Sequence, residues 1–289
     1  MTDTNANAAQ FEFWNGEGGK AWAQRDQQME KTLAPIAAHT IAAARPQPGE
    51  HVLDVGCGCG GTAFALLQAV GPTGRVQGVD ISGPMLDVAT ATTRQLPGEF
   101  QGAIAFTRAD ASSHPFTPAS YDLLFSRFGV MFFDDPVGAF AHMRTALKPG
   151  GRITFVCWAP PRENQWITIP MAAALQHLEP PEPTPPNAPG PFGLADRAFV
   201  EQTLEAAGYT NIDIGSYKPT MRFGHGAPRD EVANGFVEVG PVSRLLAEAD
   251  PDRAVAARGA IAEAIMPYYD GETLNLEGSC WVVKALKPG

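Results

Sequence analysis

The chain has 289 residues, a hydrophobic fraction of 44% and a formal net charge of −10. This length favours one α/β core with sizeable insertions. The acidic balance, with scattered Lys and Arg, gives no electrostatic footprint for nucleic acid. Residues 1–10 lack the features of a secretory signal, and no run approaches the roughly 18 apolar residues of a membrane span. We therefore expect a cytoplasmic protein with neither a nucleic-acid nor a membrane partner.

The N-terminal segment, residues 1–45, combines aromatic residues with a helical pattern. Its aromatic residues are Phe11, Phe13, Trp14 and Trp22, and its apolar helical positions are Leu33, Ile36 and Ile41. The aromatic residues could be the core of a helix packed on the sheet. Alternatively, residues 13–22 form a flap that closes over a ligand and excludes water. We predict an N-terminal helical flap over residues 1–45.

A glycine-rich loop follows the apolar run that begins at His51. Glycine is needed where a strand turns sharply into a helix and the backbone approaches a ligand. The loop therefore indicates a site for a nucleotide-type cofactor. Gly56, Gly58 and Gly61 also satisfy the dinucleotide pattern G-x-G-x-x-G.

Asp54 distinguishes a dinucleotide from other nucleotide-type cofactors. A carboxylate two residues before the first glycine would repel a diphosphate, but it suits a ligand that carries an amino group and a sulfonium cation. S-adenosylmethionine is such a ligand. Asp80, at the end of the next predicted strand, is of the kind that binds ribose hydroxyls in either reading.

The rest of the chain alternates strands and helices, which predicts a parallel sheet with crossover helices. The first helix has its apolar stripe at residues 63, 66, 67 and 70, and a later helix continues to Leu147 and ends at Pro149-Gly150-Gly151. Strands are predicted at residues 51–56, 75–80, 103–107, 121–126, 151–158, around 212–214, and 278–285.

Five motifs between residues 50 and 158 occur in the order and spacing that are typical of one enzyme family. They are Val52-Leu-Asp-Val-Gly-Cys-Gly-Cys-Gly60, Val79-Asp-Ile-Ser-Gly-Pro-Met-Leu86, Arg108-Ala-Asp-Ala111, the stretch from Tyr121 to Phe133, and Leu147-Lys-Pro-Gly-Gly-Arg152. The chain resembles class I S-adenosylmethionine-dependent methyltransferases, closest to the ubiquinone/menaquinone-type and related small-molecule subgroup. The resemblance implies a Rossmann-like α/β fold: a seven-stranded sheet, mostly parallel with an antiparallel last strand, helices on both faces and inserted cap segments.

The same resemblance implies S-adenosylmethionine as cofactor and S-adenosylhomocysteine as product. Asp54 and the backbones of Gly56, Gly58 and Ser126 would hold the methionine part, and Asp80 the ribose. Ile81 would contact the adenine face, and Asp110 with the Ala111 amide would read its amino edge. Further candidates from these motifs are Cys57, Gly60, Met85 and Arg127. Asp54 and Asp110 could instead cap loops or helices, and Arg127 could steer an acidic acceptor or pair with a carboxylate.

Two insertions interrupt the methyltransferase core, which we place at residues 46–218 with 276–289. Residues 159–200 contain a helix and then seven prolines between Pro180 and Pro191, which predicts an extended lid. Residues 219–275 carry two apolar helical faces, one with Val232, Phe236 and Val239 and the other with Ala257, Ile261 and Ile265. These faces could form a cap or the surface of a homodimer.

Methyl transfer is an in-line displacement, so alignment and exclusion of water matter most. The candidate acceptor-binding residues predict a small apolar or aromatic molecule as acceptor; they are Trp14, Trp22, Phe128, Met131, Phe132, Trp158, Asn164 and Trp166. His225 and Glu163 are candidate bases, and either could be a solvated loop residue. The four cysteines lack metal-ligand spacing, and Asp134-Asp135 is typical of a helix cap. We therefore expect metal-independent transfer, with O-methylation favoured.

Two functions from other classes remain open. An S-adenosylmethionine-binding regulatory or assembly protein would bind the cofactor without releasing S-adenosylhomocysteine. A nicotinamide dehydrogenase is disfavoured by Asp54 and by the lack of a Tyr-x-x-x-Lys pair.

Overall fold

The computed structural model describes residues 7–238 and 240–289. Residues 1–6 of the expected flap and Val239 lie outside the described residues. The strands are β1 (His51–Val55), β2 (Arg75–Asp80), β3 (Ile104–Arg108), β4 (Tyr121–Arg127), β5 (Leu147–Trp158), β6 (Thr210–Tyr217), β7 (Thr220–Phe223), β8 (Leu274–Glu277) and β9 (Cys280–Leu286). The α-helices are α1 (Ala8–Asn15), α2 (Glu17–Gln24), α3 (Asp26–Ala44), α4 (Gly61–Val70), α5 (Gly83–Thr93), α6 (Pro136–Ala146), α7 (Gln165–Ala174), α8 (Arg197–Ala206), α9 (Arg229–Phe236), α10 (Pro241–Ala247) and α11 (Pro251–Ile265).

The main sheet has seven strands in the order β3-β2-β1-β4-β5-β9-β6. Strands β1 to β5 pair in parallel, and β9 lies antiparallel between β5 and β6. This arrangement confirms the predicted Rossmann-like fold with an antiparallel last strand. Because the carboxyl ends of parallel strands share one edge, the loops after β1, β2 and β4 converge there.

Alternation along the strands gives the sheet two apolar faces. Val52 and Phe125 belong to the hydrophobic cluster with α4, whereas Leu53 and Leu124 belong to the larger cluster with α6 and α8. The predicted stripe of the first helix is buried as expected. Helices on both faces therefore hold the strand ends in place.

Strand β5 begins earlier than the sequence predicted. The prediction began the strand at residue 151, after Pro149-Gly150, but β5 begins at Leu147. Leu147 pairs with Tyr121, and the register then shifts before Leu123 pairs with Arg152. The proline and glycine therefore lie in an irregularity of the strand, which is where these residues are tolerated in sheets.

The segment between β6 and β9 forms a second layer with its own core. Strands β7 and β8, which the sequence analysis did not predict, form a separate antiparallel pair. The described residues of the two predicted faces, Val232 and Phe236 of α9 and Ala257, Ile261 and Ile265 of α11, are buried together with residues from α7 and α10. These two stripes are therefore covered within the chain itself. The Pro-rich stretch has no regular element between Leu178 and Arg197.

No helix in the described part of the chain combines the length and the apolar character needed to cross a membrane.

The second core should be sensitive to truncation at its centre. Ile261 of α11 is fully buried, whereas Val255 on the same helix is 70% exposed. Ile261→Ala should lower the free energy of unfolding by about 2 to 5 kcal/mol, because the removed atoms leave a cavity. Val255→Ala, the matched control, should change it by less than about 0.5 kcal/mol. Urea unfolding followed by circular dichroism measures both, and equal effects would contradict this packing.

Candidate cofactor and acceptor site

The loop after β1 makes a close approach to the loop after β4. Gly56 has φ of +67°, and a Cβ on it would lie 2.5 Å from the Gly129 Cα atom. The Gly56 amide donates to the Val79 carbonyl at 2.8 Å. Only glycine allows this turn and this contact together.

Asp54 is fully buried just before this turn. Its Oδ2 atom accepts a hydrogen bond from the Thr62 hydroxyl at 2.6 Å, whereas its Oδ1 atom has no partner among the described residues. Burial raises the pKa of Asp54 to about 7, against the opposing hydrogen bond from Thr62. A buried carboxylate oxygen without a partner is costly, so this position favours a ligand that brings a cation or a hydrogen-bond donor.

Asp80 is held in a defined orientation at the end of β2. Its Oδ2 accepts from the Gly58 amide and its Oδ1 from the Ser82 amide, both at 2.8 Å. Burial raises the pKa of Asp80 against these two bonds. Each oxygen keeps a second lone pair, so the carboxylate can still accept hydrogen bonds from two hydroxyl groups.

Asp110 is occupied by donors of the chain itself. Its Oδ1 accepts from the amide and the hydroxyl of Ser112 at 2.8 and 2.6 Å. Its Oδ2 accepts from Asn7 Nδ2 at 2.8 Å. An amide NH₂ group of the N-terminal segment therefore lies where Asp110 is expected to bind an amino group.

The remaining residues of the cofactor motifs occupy different positions. Met85 lies against the loop, since a Cβ on Gly58 would approach its Cε atom to 2.6 Å. Ser126 is buried and donates to the Val55 carbonyl at 2.7 Å, which ties β4 to β1. Ala111 lies in the large core, and the Cys57 sulfur faces Gly78 inside the sheet.

Further contacts define the edges of the loop. Gly60 has φ of +90° and precedes α4. The Ile81 carbonyl accepts from Asn15 Nδ2 at 2.9 Å, which fastens α1 over this edge of the sheet.

Arg127 forms a two-point ion pair with Glu30 of α3. The nitrogen to oxygen distances are 2.8 and 2.7 Å. A Cβ on Gly61 would overlap the Glu30 carboxylate, so this carboxylate lies against the glycine loop. Pairing with a carboxylate was one of the three roles that the sequence analysis gave to Arg127. The sequence analysis missed Glu30, because nothing in its local spacing marks a site residue.

The helices α1 and α2 lie across the ends of β2 and β4. The Trp14 carbonyl accepts from the Ser82 hydroxyl at 2.6 Å. The Trp14 ring makes edge contacts with Trp22 and Phe132, with ring centroids 6.1 and 5.5 Å apart. The first part of the expected flap therefore brings three of the predicted aromatic residues together.

A second aromatic group follows β4 and β5. Phe128 has φ of +65°, a strained conformation for a residue with a side chain, and its ring stacks on Trp158 at 4.3 Å. Trp158 contacts Trp166, whose ring in turn lies 6.4 Å from Phe192. Met131 is buried in the large core beside this group.

Asn164 does not line a pocket, contrary to the sequence prediction. It is fully buried, and its Nδ2 donates to the carbonyls of Ala159 and Pro160. Its Oδ1 accepts from Trp166 Nε1 at 3.0 Å and from the Ser279 amide at 2.8 Å. All four hydrogen-bonding positions of the amide are used, which leaves none for an acceptor molecule.

The two candidate bases lie in different surroundings. The Glu163 carboxylate accepts from the Ser279 hydroxyl at 3.2 Å, beside the end of β5. His225 Nε2 lies 3.4 Å from the Thr32 hydroxyl. Residues two positions apart point to opposite sides of a helix, so His225 lies across α3 from Glu30. Burial and the nearby Lys31 lower the pKa of His225.

The cysteines and acidic residues do not assemble into a metal site in the part of the chain that the structure describes. No group of three or more His, Cys, Asp or Glu side chains could hold an ion there. All four cysteines are buried and unpaired by disulfides.

Comparison with known proteins gives one family match and several relatives. Residues 52–151 match the family described as a methyltransferase domain. The chain is 32% identical to aklanonic acid methyltransferase DauC of Streptomyces sp. (strain C5) over 199 residues, which cover 62% of this chain and 84% of that protein. It is 29% identical to nocamycin O-methyltransferase of Saccharothrix syringae, over 62% of this chain and 65% of that protein. It is 35% identical to demethylmenaquinone methyltransferase of Staphylococcus epidermidis, over 48% and 54%.

Solved structures share the fold at low sequence identity. A putative methyltransferase from Bacillus halodurans superposes with a TM-score of 0.55 at 19% identity, covering 88% of this chain and 99% of the other. Phosphoethanolamine N-methyltransferase 2 of Haemonchus contortus, in complex with S-adenosyl-L-methionine, gives 0.59 at 17% identity, covering 96% and 59%. These likenesses confirm the fold.

The raised pKa of Asp54 should appear in the pH dependence of stability. An unfolded Asp releases its proton near pH 3.8, whereas the folded chain keeps it until about pH 7. Between these values the folded state binds the extra proton, so this residue's contribution to stability falls as the pH rises and is constant above the folded pKa. Without ligand, the wild type should lose up to about 4 kcal/mol relative to Asp54→Asn across this window.

Urea unfolding at a series of pH values measures this difference. Parallel profiles for the wild type and Asp54→Asn would show that burial does not perturb Asp54. The Asn variant serves as the reference because it removes the titration of this one carboxyl and keeps the shape of the side chain.

Proposed function

The chain belongs to the class I S-adenosylmethionine-dependent methyltransferases, and on that premise we propose that it methylates an oxygen atom of a small apolar or aromatic acceptor without a metal ion. The matched family and the named relatives make it an enzyme that uses S-adenosylmethionine on a small molecule. The acceptor class, the methylated atom and the individual residue roles are the proposal.

The donor side rests on the unpaired Oδ1 atom of Asp54. A buried carboxylate beside a glycine turn fits the ammonium group of the methionine part, because the ligand then supplies the missing partner. Asp80, fixed by two backbone amides, fits the ribose hydroxyls. Asp110 can accept from the adenine amino group once Asn7 yields or shares its Oδ2 atom. The bound cofactor supplies the electrophilic methyl group.

The acceptor side rests on the aromatic side chains next to this donor site. Phe128, Trp158 and Trp166 form one group and Trp14, Trp22 and Phe132 another. Flat apolar surfaces of this kind favour a ring-containing acceptor and keep water from the transfer path. Two relatives are named for methylating aklanonic acid and, on oxygen, nocamycin, which supports a small-molecule acceptor and transfer to oxygen.

Methyl transfer requires mainly that the protein align the donor methyl group with the acceptor atom. Of the two candidate bases, Glu163 fits better, because it lies at the carboxyl end of β5, whereas His225 lies across α3. A carboxylate near an acceptor hydroxyl can take its proton as the methyl group moves.

One assay distinguishes a methyltransferase from a protein that binds the cofactor without turnover. Incubation with S-adenosylmethionine and a panel of phenols, carboxylic acids, thiols and amines should release S-adenosylhomocysteine with an oxygen nucleophile. Cofactor binding without product from any acceptor would favour the regulatory alternative. Product only with thiols or amines would overturn O-methylation while leaving the family function intact.

Asp80→Ala should weaken cofactor binding by about 1 to 3 kcal/mol, the scale of a lost polar contact. Asp87→Ala, an exposed carboxylate on α5, is the matched control and should bind like the wild type. Isothermal titration with S-adenosylmethionine measures both. Equal affinity of Asp80→Ala and the wild type would remove Asp80 from the ribose site.

Phe128→Ala should raise the KM for the acceptor about two- to tenfold, because it removes a stacking contact of about 0.5 to 1.5 kcal/mol. The Kd of S-adenosylmethionine should stay within about twofold of the wild type. Leu175→Ala, an exposed position at the end of α7, controls for general effects of truncation. An unchanged KM with a weakened cofactor Kd would place Phe128 on the donor side instead.

A further inference from the structure

Asn7 stands at the N-cap position of α1, but its side chain does not cap the helix. Asn is favoured at this position because its side-chain oxygen can accept a hydrogen bond from one of the first backbone amides of the helix. Among the described residues, the Asn7 side chain makes no such bond. Asn7 is only 8% exposed, and its side chain bonds to residues more than 100 positions away in the chain. The side chain therefore serves a tertiary contact.

The Asn7 amide joins the loop after β3 to the segment before α6. Its Nδ2 atom donates to Asp110 Oδ2 at 2.8 Å and to the Ser112 hydroxyl oxygen at 3.2 Å. Its Oδ1 atom accepts from the Asp134 amide at 3.2 Å. Both ends of the amide group are bonded, so its NH₂ group is held in a fixed position against the Asp110 carboxylate.

The other end of α1 is fastened to the loop after β2. Asn15 Nδ2 donates to the Ile81 carbonyl at 2.9 Å, and Asn15 Oδ1 accepts from the Gly83 amide at 3.0 Å. Arg108 at the end of β3 donates to the same Oδ1 atom at 2.6 Å. The helix therefore runs from the loop that carries Ile81 to the loop that carries Asp110. These are the two positions proposed for the adenine face and the adenine amino edge.

The Asn7 amide and an adenine amino group are equivalent partners for Asp110. Each presents an NH₂ group that donates to a carboxylate oxygen. The amide and the hydroxyl of Ser112 already donate to Asp110 Oδ1, so Oδ2 is the oxygen left for a purine. Asn7 Nδ2 is bonded to that same oxygen. Two donors of one kind therefore contend for one atom.

We infer that Asn7 is an internal competitor for the adenine amino group, and that α1 is a strap that releases Asp110 when the purine binds. This inference rests on the proposed role of Asp110 in adenine recognition, and it is independent of the acceptor. An internal competitor lowers the apparent affinity for the cofactor, because only the molecules with a released Asn7 are competent to bind.

Isothermal titration with S-adenosylhomocysteine tests the competition. Asn7→Ala removes the competing donor and should lower the Kd about three- to tenfold, the effect of one hydrogen bond. In an Asp110→Ala background the same substitution should change the Kd by less than about twofold, because the contested carboxylate is absent. Asn234→Ala, at an exposed position of α9, is the matched control and should bind like the wild type.

The direction of the change separates competition from support. If Asn7 helped to hold the bound purine, Asn7→Ala would raise the Kd. If Asp110 Oδ2 accepted from both donors at once, the Kd would stay the same. Either result would overturn the strap, and so would an equal gain in the wild-type and Asp110→Ala backgrounds. Asn7→Asp gives an independent reading, because a carboxylate cannot donate to Asp110 and repels it, so the Kd should again fall.

Failure of the proposed function gives different results. A wild-type chain that binds neither S-adenosylmethionine nor S-adenosylhomocysteine would contradict the methyltransferase function itself. Equal Kd values for Asn7→Ala and Asn7→Ala/Asp110→Ala would remove Asp110 from the adenine site, and the competition with it. A wild-type chain that binds both ligands, with a Kd that Asn7→Ala does not lower, would overturn only the strap.

Discussion

A single carboxylate oxygen, Oδ1 of Asp54, sets the character of this site. Thr62 satisfies the other oxygen, and the surrounding sheet and α4 exclude water. The chain tolerates a costly group at the end of its most buried strand, which is reasonable only where a ligand completes it. The raised pKa has the same origin, since removal of water penalises the charged form. A cationic donor relieves both effects at once.

Neighbouring strand ends of the parallel sheet carry side chains of different chemistry. The ends of β1 and β2 carry carboxylates, of which Asp54 is bonded by the Thr62 hydroxyl and Asp80 by two backbone amides. The ends of β4 and β5 carry stacked aromatic rings. Gly56 and Gly129 touch at the boundary, so the charged and apolar halves are adjacent. Phe128 is held in a strained backbone conformation at this boundary. Strain at such a point is consistent with positioning a ring for recognition.

The sequence predicts what is local and misses what is brought in by packing. The positions of the parallel strands along the chain, and of Asp54 and Asp80 at their ends, follow from short motifs, because a turn and its flanking residues are fixed by neighbours in the chain. Glu30 contacts the glycine loop only because α3 packs against it, and no motif spacing in the sequence predicts that contact. Asn164 follows β5, as pocket residues often do, yet it closes a local turn. The β7–β8 pair, only four residues per strand, has too little pattern to recognise.

The N-terminal helices connect the donor site to the second hydrophobic core. The side-chain amide of Asn7 donates a hydrogen bond to Asp110, and Glu30 forms an ion pair with Arg127. Arg25 forms an ion pair with Glu238, which follows α9. Thr32, on the opposite side of α3 from Glu30, bonds to the Arg222 carbonyl on β7. A rigid helix that contacts the glycine loop on one side and β7 on the other cannot shift at one contact without disturbing the other. The same helices therefore contact both the glycine loop and the second hydrophobic core, although they lie outside the matched segment of residues 52–151.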